Sequence, residues 1–146
     1  KDLIRIGMEY TSVTAVLVGS NTFERRWVRY EIAQSIVKGN GLVGIQVHLL
    51  RDQFSNASAL GPSPFDSMGL YRASDGRVQL AELTGQRWVA YADYTHALTL
   101  PSTWSAPRDN NVVRLSAYVG TFCYVRNSGQ VNFSSWVANA AAAVGR

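Results

Sequence analysis

The sequence of 146 residues contains a single cysteine, Cys123. One cysteine excludes an internal disulfide and a zinc site built from several thiolates. Such cysteine usage is typical of a reducing compartment, and we therefore expect a cytoplasmic protein. Cys123 lies in a strand-like run, which favours a buried and unreactive thiol over a catalytic nucleophile.

Long apolar runs are also missing from the chain. No stretch approaches the roughly 20 apolar residues that a membrane-spanning helix needs, so we predict no membrane association. The chain opens on Lys1-Asp2-Leu3, whereas a signal peptide begins with basic residues followed by an apolar run. Because the first residue is not an initiating Met, we interpret the sequence as a fragment of a longer protein.

Charged residues are few and scattered. They make up 16% of the sequence, and the formal net charge is +4. The densest basic cluster consists of Arg25, Arg26 and Arg29, with Glu24 and Glu31 beside them. A nucleic-acid-binding surface more often gathers its Lys and Arg side chains into one stripe. A nucleic-acid partner is therefore not predicted.

Several common catalytic patterns are missing as well. The sequence has no P-loop, no Ser–His–Asp order and no cluster with the spacing of metal ligands, so we predict no metal site. His48 lies near the end of a predicted buried strand, where a hydrogen-bonded structural role is more common than a catalytic one. The segment Gly39-Asn40-Gly41-Leu42-Val43-Gly44 matches the dinucleotide-binding pattern G-x-G-x-x-G. However, these glycines follow a predicted helix instead of opening one, so we reject this match.

The N-terminal half predicts a strand, a helix and a second strand. Val13–Gly19 is almost continuously apolar, as in a parallel strand that is covered on both faces. Ser20-Asn21-Thr22 then supplies turn and helix-capping residues. The helix is predicted from about Arg25 to Lys38, with Gly39 just after its end. Its apolar stripe consists of Val28, Ile32 and Ile36. The second strand is predicted at Leu42–Leu50. This spacing predicts parallel pairing of the two strands.

The C-terminal half predicts an antiparallel insertion and a final helix. Asp75-Gly76 and Thr84-Gly85 separate three short strands, Gly69–Ala73, Val78–Leu83 and Arg87–Tyr91. The following segments are a predicted loop at Thr95–Asn111, a strand at Val113–Val119 and a helix capped by Asn132, with Phe133, Trp136, Val137, Ala140 and Val144 along one side. Lys1–Met8 has the pattern of a helix end. We therefore expect one α/β domain over residues 1–146, with few strands in its parallel sheet.

Glu31 is the candidate catalytic carboxylate. Its i+4 position is Ser35, so an ion pair on the helix surface does not account for it. Trp27 lies one turn earlier on the same face and can stack on a planar ring. The helix starts just beyond the carboxyl end of a buried strand, the edge where open α/β sheets bind ligands.

The residues around Glu31 resemble a known family. Trp27-Val28-Arg29-Tyr30-Glu31 is similar to the W-x-x-x-E signature of TIR domains. A longer match includes Ser12–Trp27, Lys38-Gly39-Asn40, Gly61–Asp66 and Phe133–Val137. It resembles the bacterial TIR-like proteins of the Thoeris anti-phage system.

This resemblance implies a flavodoxin-like parallel sheet with flanking helices and an antiparallel β insertion. It implies that Glu31 cleaves the nicotinamide–ribose bond of NAD⁺, which is a substrate and not a cofactor. The substrate-binding residues would then be Trp27, Ser20, Asn21, Thr22 and Arg26. It further implies a cyclic or modified ADP-ribose signal, self-association and a separate effector protein. The chain departs from the family pattern because the N-terminal strand and helix, which form the other wall of the nucleotide pocket, are not in it.

Two other functions stay open at this point. The domain can be a non-catalytic TIR-like interaction module in which Glu31 is structural. Alternatively, Arg25, Arg26 and Arg29 can bind nucleic acid, with an affinity that falls steeply with salt.

Overall fold

A computed structural model describes residues 12–51, 57 and 59–146. The helix end predicted at Lys1–Met8 lies outside these residues. Described strands and helices are β1 Val13–Val18, α1 Arg26–Val37, β2 Gly41–Gln46, β3 Met68–Arg72, β4 Val78–Thr84, β5 Arg87–Ala90, β6 Val113–Arg114, β7 Thr121–Cys123 and α2 Gly129–Ala142. No helix in this part of the chain has the length and apolar character to cross a membrane.

Strands β1, β2 and β7 form a parallel sheet with β2 in the centre. Val13 pairs with Gly41 and Val18 with Gln46, which confirms the predicted parallel pairing. Residues 41–45 are all buried, as expected for a central strand covered on both faces. Strand β2 ends four residues before the predicted end, because the chain turns there and the Leu50 N–H donates to the carbonyl oxygen of Val47.

Helix α1 confirms the predicted helix within one residue at each end. Its buried face consists of Ile32, Ala33, Ser35 and Ile36. The Ser35 hydroxyl lies 2.7 Å from the Thr14 hydroxyl oxygen and ties the helix to β1. Gly39 has a φ of +72°, the left-handed conformation that favours glycine just after a helix.

The second sheet is antiparallel, in the order β5-β4-β3-β6. Its first three strands confirm the predicted insertion. The predicted strand at Val113–Val119 is wrong beyond Arg114, because Leu115–Ala117 forms a 3₁₀ helix. Leu115 and Val119 are both buried and the Val119 N–H donates to the Leu115 carbonyl oxygen, so the i, i+4 spacing of these residues reflects a helical turn.

The C-terminal helix starts earlier than predicted. Ser128, with φ of +53°, precedes its first residue. Asn132 lies inside the helix and not at its cap, and its side-chain amide donates to the Asn127 carbonyl oxygen at 2.9 Å. Trp136 is buried and stacks on Phe122 with ring centroids 4.6 Å apart. Phe133, which was predicted on the same side of the helix as Trp136, is 38% exposed. Cys123 is buried, as predicted.

One hydrophobic cluster joins α1 to both sheets. Ile32 and Ile36 pack in it with residues from the antiparallel sheet and the segments after it, among them Leu70, Leu80, Tyr91 and Leu115. The insertion and the parallel sheet therefore hold the helix between them.

Gly41 makes the closest approach between the central strand and α2, and it generates a stability prediction. A Cβ at this position would lie 2.6 Å from the carbonyl carbon of Ala140 and even closer to its oxygen. Because this is helix backbone, we expect Gly41→Ala to lower the free energy of unfolding by about 1–3 kcal/mol. The measurement is urea denaturation. Gly120→Ala is the matched control, because a Cβ added at Gly120 would lie 3.4 Å from the Phe122 ring, an ordinary contact distance. Equal stability of the two variants would contradict the prediction.

Candidate functional site

The segment between β1 and α1 carries three of the predicted substrate-binding residues. Ser20 and Asn21 are exposed and Thr22 is half-buried. The Thr22 hydroxyl accepts a hydrogen bond from the Gly19 N–H at 2.8 Å, which holds the turn directly after β1. These three residues therefore lie at the carboxyl end of a parallel strand, the edge at which α/β sheets bind ligands.

Gly61 packs directly on this turn, a contact that the sequence reasoning missed. A Cβ at this glycine would lie 2.5 Å from the carbonyl carbon of Ser20. Gly61 is followed by Pro62, and a glycine in such a pair is a usable sequence signal for a close backbone approach. Gly61 therefore lies directly against the backbone of the turn that carries Ser20.

Glu31 lies in the second turn of α1 and is half-buried. Within the described residues its carboxylate has no hydrogen bond or ion pair, while its backbone carbonyl oxygen lies 2.8 Å from the Ser35 hydroxyl. Desolvation raises the pKa of the Glu31 carboxyl above its ordinary value. A carboxylate in such surroundings interacts strongly with a positive charge that forms next to it.

Trp27 flanks Glu31 from the preceding turn of the same helix. Its side chain is 40% exposed, and its ring stacks on that of Tyr30 with centroids 5.8 Å apart and planes 26° apart. The sequence reasoning did not select Tyr30, although its i+3 spacing from Trp27 was a usable signal. Together the two rings give an aromatic surface that a planar ring or a sugar face can contact.

Arg26, the first residue of α1, faces a different direction from Glu31. Glu31 is the fifth residue after it, which places the two side chains about 140° apart around the helix. Arg26 donates two hydrogen bonds to Asp93, at 2.8 and 3.3 Å, and this ion pair raises the pKa of its guanidinium. The structure thus pairs Arg26 with Asp93, in the segment after β5.

A polar cavity lies on the Arg26 side of the helix. Its volume is about 170 Å³, and its lining includes Glu24, Arg26, Arg29, Glu82, Tyr91 and Asp93. Burial, followed by the charges of Asp93 and Glu82, raises the pKa of the Tyr91 hydroxyl, which therefore stays protonated. This cavity separates the start of α1 from the antiparallel sheet.

The two histidines lie outside the aromatic surface. His48 is buried just after β2, and its Nδ1 has no hydrogen-bond partner in the described part of the chain. The predicted hydrogen-bonded role is therefore wrong for this nitrogen. His96 is exposed and packs edge-on against Tyr94 with ring centroids 5.3 Å apart.

Comparison with known proteins now gives the family. The family model described as "Thoeris protein ThsB, TIR-like domain" matches residues 1–52. A protein of Bacillus cereus (strain MSX-D12) named "Putative cyclic ADP-D-ribose synthase ThsB1" is 41% identical over 138 residues. That alignment covers 94% of this chain and 71% of the relative. The α/β fold agrees with this match, and the chain therefore belongs to the Thoeris ThsB family of TIR-like domain proteins.

Proposed function

We propose that this protein cleaves the nicotinamide–ribose bond of NAD⁺ and converts the rest into a cyclic or modified ADP-ribose signal for anti-phage defence. The observation that carries the proposal is the Glu31 carboxylate, half-buried and without a partner among the described residues, one turn after the exposed Trp27. The name of the Bacillus cereus relative, a putative cyclic ADP-D-ribose synthase, supports it.

One carboxylate is sufficient for this chemistry. Nicotinamide leaves NAD⁺ as a neutral molecule, so the leaving group needs no general acid, unlike that of an ordinary glycoside. Positive charge develops on the ribose as the bond breaks. The ionised Glu31 carboxylate stabilises that charge and orients the ribose hydroxyls.

The remaining residues bind and orient NAD⁺ in this proposal. The exposed ring of Trp27 packs against the ribose or the nicotinamide ring. Ser20, Asn21 and Thr22 offer hydroxyl and amide groups to the ribose or phosphates at the end of β1. Arg26 already binds Asp93 through its Nε and Nη2, so we assign it a smaller part in phosphate binding.

The fate of the ADP-ribosyl group depends on the attacking nucleophile. Water gives ADP-ribose, whereas a hydroxyl or ring nitrogen of the same molecule gives a cyclic product and requires that water be excluded. Trp27 is open to solvent on the described surface. We propose that a second copy of the protein covers this surface, and that the product acts on a separate effector.

The first test of the proposal is NAD⁺ consumption by purified protein. We expect Glu31→Gln to lower kcat by at least about 100-fold, because the amide cannot balance the positive charge in the transition state. Product formation is followed by liquid chromatography and mass spectrometry. The matched control is Glu24→Gln, which makes the same change at an exposed carboxylate seven residues earlier.

The two variants separate the possible outcomes. Loss of turnover in Glu31→Gln alone supports the proposal, and the product mass identifies hydrolysis or cyclisation. Equal turnover by wild type and Glu31→Gln contradicts it. No turnover in wild type at any protein concentration, together with intact signalling by Glu31→Gln, favours the non-catalytic interaction module.

The raised pKa of Glu31 also predicts how stability changes with pH. Desolvation disfavours the ionised form of Glu31 in the folded protein. Glu31 therefore destabilises the fold at pH values above the pKa that it has in the folded protein. This effect disappears at pH values below the pKa that it has in the unfolded chain. A neutral amide is less costly to bury than a charge. We therefore expect Glu31→Gln to have a higher Tm than wild type at pH 7 and a difference that shrinks towards pH 4. Thermal denaturation at both pH values is the measurement, and a lower Tm of the variant at pH 7 would contradict this prediction.

A further inference from the structure

We propose that Arg29 is a positioning residue that sets the place of Glu31 by joining α1 to the turn after β1 and to the antiparallel insertion. The proposal rests on the proposed function of Glu31. Its structural part can be tested without any enzymatic activity.

The contacts of Arg29 are those of a buried structural side chain. Only 14% of it is exposed, although it is a charged residue on an outer helix. Its Nε donates to the Phe23 carbonyl oxygen at 3.2 Å and its Nη1 donates to the Leu83 carbonyl oxygen at 3.1 Å. The Glu82 carboxylate lies 3.8 Å from the same Nη1 and compensates the buried charge.

These contacts join three separate parts of the fold. Phe23 belongs to the 3₁₀ helix Thr22–Glu24, directly after Ser20 and Asn21. Leu83 lies in β4 of the insertion, 54 residues from Arg29. The rigid fork of a guanidinium can donate to both carbonyl groups at once, whereas the single ammonium of lysine reaches fewer acceptors in one geometry.

Apolar packing is sparse in the first turn of α1, where the half-buried Val28 packs against the hydrophobic cluster, so the polar contacts of Arg29 add to what holds the helix start. The cavity of about 170 Å³ lies between the helix start and the insertion. One turn later the helix is held by the fully buried Ile32. The other link across the cavity, Arg26–Asp93, involves an arginine side chain that is 78% exposed, and exposed ion pairs contribute little to stability.

The position of Glu31 follows from the orientation of these turns. Glu31 is two residues after Arg29, about 200° around the helix, so its carboxylate faces away from the cavity. A tilt of the helix start towards or away from the insertion moves Glu31 relative to the Ser20–Thr22 turn. Catalysis responds steeply to such a shift, since misplacement by about 1 Å can lower a rate by roughly 100-fold.

The experiment compares Arg29→Gln and Arg29→Lys with Arg25→Gln. Arg25 is exposed and precedes the same helix, so its replacement removes the same charge without breaking the link. We expect Arg29→Gln to lower kcat for NAD⁺ by roughly 10- to 100-fold and to leave KM almost unchanged, because Arg29 does not bind the substrate itself. Arg29→Lys should recover part of kcat, and Arg25→Gln should match wild type.

Hydrogen exchange provides the readout that needs no activity. In Arg29→Gln the backbone amides of residues 20–31 should exchange faster than in Arg25→Gln, with unchanged exchange in β2. Equal exchange in the two variants, or an unchanged kcat in Arg29→Gln, would overturn the positioning role. A third outcome is that the wild type does not turn over NAD⁺ while Arg29→Gln still exchanges faster than Arg25→Gln. That outcome would reject the proposed function and retain the structural link. If Arg29→Gln does not fold, Arg29→Lys against Arg25→Lys decides the question by the same two readouts.

Discussion

Burial of one face of α1 is the constraint on which the rest of the structure depends. Ile32, Ala33 and Ile36 are almost completely removed from water, in a cluster shared by the helix and both sheets. Because a helix is rigid, fixing this face also fixes the opposite one. Trp27, Tyr30 and Glu31, which are exposed or half-buried, therefore have fixed positions relative to one another on the outer part of α1. The apolar core thus determines where the polar residues of the candidate site lie.

This arrangement leaves Glu31 with a raised pKa, because its carboxylate has lost part of its solvation and has no hydrogen-bond or ion-pair partner among the residues that the structure describes. Two other charged side chains of the same helix have partners. Arg29 contacts two carbonyl oxygens and a carboxylate, and Arg26 forms an ion pair with Asp93. A protein selected only for stability would have paired or replaced Glu31. Residues that oppose stability in this way concentrate at functional sites.

The sequence predicted the elements around the site well, because periodicity there is long and unambiguous. The stripe of α1 and Gly39 each confirm a local rule. The apolar run of β1 predicted the strand itself, but the predicted covering of both its faces is wrong, because Val16 and Val18 are buried while Leu17 is 60% exposed. Shorter patterns gave wrong predictions. Leu115 and Val119 fit a strand as well as a helical turn. Asn132 was predicted as the helix cap, whereas the residue that precedes α2 is Ser128, whose backbone is in the left-handed conformation. Contacts between distant residues could not be predicted at all. Arg26 and Asp93 are 67 residues apart, and no local pattern relates them.

The measurement that tests the central claim most directly is metabolite analysis of phage-exposed cells. Cells carrying the full-length gene are compared with cells carrying the same gene with Glu31→Gln, and NAD⁺ and ADP-ribose derivatives are quantified by mass spectrometry. The account predicts that NAD⁺ falls and an ADP-ribose-derived product accumulates only with the wild-type gene, and that protection from phage is lost with the variant. Intact NAD⁺ in both strains with protection retained in both would contradict it.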